Sequence, residues 1–220
     1  LLARGLVVPT DDGTVVLPRE VALHLRGGVL HPEVPVEQPV PVGVERDPAT
    51  VDRTAGSGAF EAVRRIETML GLWERVLGLQ ERIVLGGRAL RRLPRLLDVD
   101  EAGAALLAEV AYAAGLVGMS DDVDPVWLPT ASYDPWLRDE PPQRWTRLAS
   151  AWLITRRAPG LVGSRDDRNR LIPPLGPDLD RSLAPEVRRL VLEILAAAPS
   201  GLAAEPTDVI EAVRWQRPRR

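Results

Sequence analysis

Arg88, Arg91, Arg92 and Arg95 stand at positions i, i+3, i+4 and i+7, the spacing that aligns side chains along one face of an α-helix. Four guanidiniums on such a face, with Leu90, Leu93 and Leu97 opposite, could neutralise several nucleic-acid phosphates and make affinity fall steeply with salt. Pro94 opposes a continuous helix, because it lacks the amide that would bond back to residue 90. An ordinary solvated face is the competing reading. A second basic patch, Arg214, Arg217, Arg219 and Arg220 around Trp215, closes the sequence.

Other chemistry finds few residues to use. The chain has no cysteine, which excludes disulfides, thiolate metal sites and a cysteine nucleophile. Its two histidines, His24 and His31, are separated by Gly27-Gly28 and do not suggest a shared metal. Asp121, Asp122 and Asp124 lack the central glycine and the closing glutamate of a calcium loop, so a solvated turn is expected. Asp166-Asp167 lies among Arg165, Arg168 and Arg170 and reads as self-paired surface charge. Neither GxxxxGK[ST] nor GxGxxG occurs, so no nucleotide is expected on those loops. The sequence thus predicts no catalytic residues, no cofactor and no metal. Trp127, Trp136, Trp145 and Trp152 interleave with Arg138, Arg144 and Arg147, a pattern able to stack single-stranded bases. The seven-residue spacing of Trp145 and Trp152 favours a core role instead.

The elements that must carry these residues come from a chain of 220 residues, 45% hydrophobic and 27% charged, the composition of a globular protein. No apolar run approaches the ~18–20 residues of a membrane span, and a cytoplasmic protein is expected. All 28 basic residues are arginine, with no lysine, so arginine number alone says nothing about nucleic acid. The net charge of −3 argues against a uniformly basic coat. Residues 1–50 and 101–150 are acidic, whereas 51–100, 151–200 and 201–220 are mildly basic, so any anion-binding face must be local.

The pattern along the chain predicts a mainly α fold with small β-hairpins (α+β), built of winged-helix-type units plus extra helices. Residues 1–28 read as the C-terminal remnant of one winged-helix unit. They hold a helix end stopped by Gly5, strands on either side of Asp11-Asp12-Gly13, and a short helix from Arg19 stopped by Gly27-Gly28. Residues 29–56, with five prolines among valines, read as an extended connector. Residues 57–130 read as a winged-helix-like domain. It comprises an amphipathic helix from Ser57 with Phe60, Val63, Ile66, Leu70 and Trp73 inward, a helix with Arg88–Leu97, a helix from Glu101 to Ala114 capped by Asp100, and a hairpin of Leu116–Met119 with Val126–Leu128. Residues 131–220 read as a helical domain with a Pro/Arg-rich loop at 158–177. The helix 101–114, where a winged helix would read the major groove, offers no arginine, asparagine or glutamine to base edges. That deficit favours packing on protein.

Several of these segments resemble the actinobacterial helicase-associated, XPB-like helicase family. The resemblance rests on Leu6-Val7-Val8-Pro9 with Leu17-Pro18-Arg19-Glu20-Val21, on Gly86-Gly87-Arg88-Ala89-Leu90-Arg91-Arg92-Leu93, and on Trp127-Leu128-Pro129-Thr130 with Tyr133-Asp134-Pro135-Trp136-Leu137. Ala151-Trp152-Leu153 and Arg214-Trp215-Gln216-Arg217-Pro218-Arg219 extend it. It implies a non-motor region of a longer cytosolic protein, associated with DNA and holding no ATPase. The expected partners are DNA, or alternatively a helicase, a repair factor or the remainder of its own chain docked without DNA contact.

Overall fold

A computed structural model describes residues 1–10, 13–28, 37–78, 92–121 and 127–217, with the backbone alone for 74–78. It is mainly helical with small antiparallel strand pairs, as the sequence pattern predicts. The chain divides into two compact units, Leu1–Pro39 and Val40–Arg220.

In the first unit β1 (Val8–Pro9) pairs antiparallel with β2 (Val15–Val16), and Gly13 turns the chain at φ +79°. Helix α1 (Arg19–Leu25) follows Pro18 and ends in a Schellman motif. There Gly27 donates to the His24 carbonyl at 3.0 Å and Gly28 to the Leu23 carbonyl at 2.9 Å. Both glycines are left-handed, which is why two follow in succession.

The second unit departs from expectation at its start. Helix α2 (Pro48–Gly78) begins nine residues before Ser57, inside the segment expected to be an extended connector. Proline density misleads here, because Pro48 occupies the first helical position, where its missing amide costs nothing. Asp47 caps the turn, its carboxylate accepting from the Thr50 amide at 3.0 Å and hydroxyl at 2.8 Å. The prolines also leave 43–45 free to pair: β3 (Gly43–Glu45) runs antiparallel to β6 (Leu202–Ala204). The Val42 amide donates to the Asp208 carboxylate at 3.1 Å, extending that link.

Val63, Ile66, Met69, Leu70 and Trp73 of α2 are buried, as their spacing predicts, whereas Phe60 lies exposed. They pack with α3 (Leu93–Leu97), α4 (Glu101–Ala113), α5 (Tyr133–Arg138) and α6 (Pro141–Ile154) into one core that runs on both sides of residue 130. Helix α4 is its centre, starting at Asp100, whose carboxylate accepts from Gly103 at 2.7 Å, and ending before left-handed Gly115. Strands β4 (Val117–Met119) and β5 (Trp127–Pro129) form the expected hairpin. A smaller cluster of Ile194, Val209 and Ala212 joins α7 (Ala184–Ala197) to α8 (Pro206–Gln216).

Candidate nucleic-acid interface

Many of the described arginines have hydrogen-bonded or ionic partners, and setting those apart narrows what is left for a ligand. Three guanidiniums close the C-terminal ends of helices they do not belong to. Arg65 donates to the Asp98 carbonyl at the end of α3 at 3.3 Å. Arg147 places Nε and Nη2 at 3.2 and 2.9 Å from the Ala114 carbonyl at the end of α4. Arg188 of α7 meets the carbonyls of Trp152 (3.0 Å), Thr155 and Arg157 at the end of α6, with its guanidinium 5.4 Å from the Trp152 ring centroid. Burial pushes the Arg188 pKa below its ordinary value. Each places positive charge where the last carbonyls lack an intrahelical donor. Arg144 adds an ion pair to Glu67 at 3.0 Å.

The deepest ionic group is Glu109 of α4, whose side chain is 1% exposed. It accepts from Arg157, and from the Leu175 amide at 2.5 Å. Arg157 also donates to the Gly176 carbonyl at 2.7 Å and lies 5.0 Å from the Tyr112 ring centroid. Leu175 takes a left-handed backbone, φ +59°, as it presents that amide. The α6–α7 loop is thereby fastened to α4, as well as by buried Ile172, Leu175 and Leu179.

Against this background the predicted sites divide. Arg92 stands at the N-cap of α3 and Arg95 within it, both exposed and without an ion pair among the described residues. Leu93 and Leu97, expected opposite them, are buried. The helix starts at Leu93, so Pro94 occupies its first turn rather than its interior. Arg88 and Arg91 lie outside the described residues, as do Arg219 and Arg220. Arg214 is exposed on α8. Arg217 is drawn instead into an ion pair with Glu186 of α7 at 3.2 Å, so it braces α8 on α7.

Helix α4 buries Ala104, Ala105, Leu107, Ala108, Glu109 and Ala111. Its exposed positions, Glu101, Ala102, Leu106 and Tyr112, carry no donor suited to base edges apart from the tyrosine hydroxyl. Of the acidic turn, Asp121 is described, and Asp122 and Asp124 lie outside the described residues, as does His31. Among the described residues no three acidic or histidine side chains come together to hold a metal, and no helix is long and apolar enough to cross a membrane.

The tryptophans split as well. Trp136 is fully buried and Trp127 meets Tyr112 edge to face, with ring centroids 5.4 Å apart. Trp145, expected in the core, is 41% exposed. It lines an apolar groove of about 470 Å³ with Ile66, Leu106, Leu153 and Leu192. The spacing misleads because α6 turns Leu148 and Ala151, rather than Trp145, toward α2 and α4.

Compared with protein-family models, curated proteins and solved structures, the chain matches none.

Proposed function

We propose that this chain is a non-catalytic, DNA-associated module of a larger helicase-like protein, of the XPB-like kind its sequence resembles. It touches phosphates through arginines at α3 and reads no base edges. The observation that carries the proposal is the pair Arg92 and Arg95: exposed, close in sequence, and free of carboxylate partners among the described residues. A guanidinium paired with a carboxylate has its charge already met, so arginines without such a partner weigh more than arginine number. The buried face of α4 supports the second half, because a winged-helix unit docked in the usual way needs donors on that helix. Contact limited to the backbone is indifferent to sequence and strongly dependent on salt.

The test is fluorescence anisotropy of the protein with duplex and single-stranded oligonucleotides over a salt series. Log affinity should fall linearly with log salt, and Arg92→Ala/Arg95→Ala should flatten the duplex slope by up to about 1.8, or ~0.9 per phosphate contact. No binding at low salt would sink the proposal. The second reading, a protein-docking module without DNA contact, is favoured by the exposed Trp145 on its apolar groove. Such a groove suits the apolar face of a partner helix, and failure to bind DNA would leave it as the better account.

A further inference from the structure

The loop between α6 and α7 runs for more than 25 residues, well beyond the ~12–15 that ordinary connections reach. It is nonetheless built as a doubled-back arm. At its base Ala158 donates to the Leu179 carbonyl at 2.9 Å and Arg181 to the Arg156 carbonyl at 2.8 Å. Further out, Gly163 donates to Ile172 at 3.0 Å, Ile172 to Ser164 at 2.9 Å, and Asp166 to Arg170 at 2.9 Å. The turn is organised by Asp166, whose carboxylate accepts from the Arg168 amide (2.9 Å), the Arg170 amide (2.8 Å) and the Arg170 guanidinium (2.8 Å). The charges of Asp166 and Arg170 are therefore spent on each other. Arg165 is exposed and, among the described residues, donates to the Asn169 carbonyl at 2.6 Å. The exposed side chain of Arg168 has no bond among the described residues.

The base of this hairpin lines a cavity together with α3 and with Glu101, Ala104 and Ala108 of α4. The cavity, about 440 Å³, has Leu93 and Pro94 on one wall, and Val162, Gly163, Leu171 and Ile172 on the other. Arg92 and Arg95 flank the first wall in sequence, and Arg165 and Arg168 extend from the second. Two pairs of arginines without carboxylate partners among the described residues thus stand beside that lining in sequence. The nearest opposing charges in sequence are Asp167 at the tip, Glu101 in the cavity lining, and Asp98 and Asp100 after α3.

We infer that the 163–172 hairpin is a second phosphate-contacting element, so that a nucleic-acid backbone is held between α3 and the hairpin tip by Arg92, Arg95, Arg165 and Arg168. The inference rests on the DNA reading above and adds to it where the backbone lies. Asp166 fixes the backbone of the turn, and with it where Arg165 and Arg168 leave the chain. The hairpin serves as a wing here, in place of β4–β5.

The experiment uses the same oligonucleotide titrations. Arg168→Ala should flatten the salt slope by up to about 0.9 and Arg165→Ala/Arg168→Ala by up to about 1.8. Arg168 is the cleaner site, since its side chain holds nothing in the tip. Asp167→Asn should tighten binding about two-fold at low salt, a gain that a purely structural tip would not give. Arg189→Ala, which removes the same charge from α7, where Arg189 faces Glu193 at 3.7 Å, should leave the slope unchanged. Thermal melts of every variant check that the fold is kept. Unchanged slopes for the tip variants beside a flattened slope for Arg92→Ala/Arg95→Ala would overturn the hairpin inference and leave the α3 reading standing. An equal effect from Arg189→Ala would overturn it as well, by showing a response to net charge alone. No DNA binding by the unaltered protein would overturn both.

Discussion

Replacing Arg157 with methionine removes the cation that meets Glu109, a carboxylate 1% exposed, while keeping most of the side-chain volume. The Leu175 amide remains as a donor, but the charge loses its partner, and breaking a buried pair from one side costs about 3–5 kcal/mol. The Gly176 carbonyl also loses its 2.7 Å donor, worth about 1 kcal/mol. The cost, about 3–5 kcal/mol with the carbonyl's share inside that range, is comparable with a whole domain's stability of ~5–15 kcal/mol. The reverse change, Glu109→Leu, should cost less, about 2–4 kcal/mol. The Arg157 side chain is 15% exposed and can turn toward water, leaving chiefly the Leu175 amide unpaired. The double variant strands no charge, so it should be no worse than Glu109→Leu, giving a coupling of about 3–5 kcal/mol. Urea denaturation of the four proteins at pH 7 measures it. Additivity within about 0.5 kcal/mol would refute the view that this pair fastens the α6–α7 loop to α4.

Three further outcomes are expected. Arg188→Lys should lower stability by about 1–3 kcal/mol in calorimetry, since one ammonium cannot span three carbonyls and stack on Trp152; an unchanged melting temperature would contradict it. Gly43→Ala should break the β3–β6 pairing and expose 37–47 to limited proteolysis, because the new Cβ would lie 1.9 Å from the Ala203 carbonyl oxygen; protection equal to the unaltered protein would refute this. Hydrogen bonds from the Arg170 amide and guanidinium hold the Asp166 carboxyl below the usual aspartate range. Its stabilisation of the tip is therefore complete above the ordinary value of about 3.9 and is lost as pH falls through the lower folded value. The Arg168 and Arg170 amide shifts in an NMR titration should hold steady down to about pH 4 and move only below it; movement near pH 5 would contradict the assignment.

Local signals were legible in the sequence where the backbone needs a particular residue. Gly27-Gly28, Gly115 and Asp100 mark helix ends because left-handed conformations and free amides impose those residues. The β1–β2 and β4–β5 hairpins follow from short apolar runs around turns. Pairings across long separations left no such trace. Gly43–Glu45 meets Leu202–Ala204 through backbone bonds, and the glycine that the close approach requires at 43 does not name its partner strand. Trp145 shows the corresponding limit of periodicity, which identifies a face but not which of its residues lie at its edge. Of the arginine spacing, Arg92 and Arg95 lie exposed while Leu93 and Leu97 are buried, and Arg88 and Arg91 lie outside the described residues. That Arg217 is consumed by Glu186 was not legible, because ion pairing depends on which helix packs alongside. The doubled-back loop at 158–177 was legible only as a loop with self-paired charge, which Asp166 and Arg170 form.

The absence of lysine gives these distinctions their force. A chain with only arginine must use it for every cationic task, and those tasks differ in geometry. Closing a helix end from a neighbouring element needs a planar fork reaching one or more carbonyls, as Arg147 and Arg188 do. Meeting a buried carboxylate and a carbonyl together needs the same fork, as Arg157 shows. A phosphate contact asks only for an accessible positive charge, although the fork can grip it at two points. Arginine is thus indispensable at 147, 157 and 188 and replaceable by lysine at 92, 95 and 168. The committed guanidiniums lie against α4, α6 and α7, where they hold the core's helices together, while Arg92, Arg95 and Arg168 are exposed without a carboxylate partner among the described residues. A scaffold that fixes its helix ends with some arginines and leaves others exposed and unpaired has the means to grip a backbone without reading it, and that division of labour is what the proposed function requires.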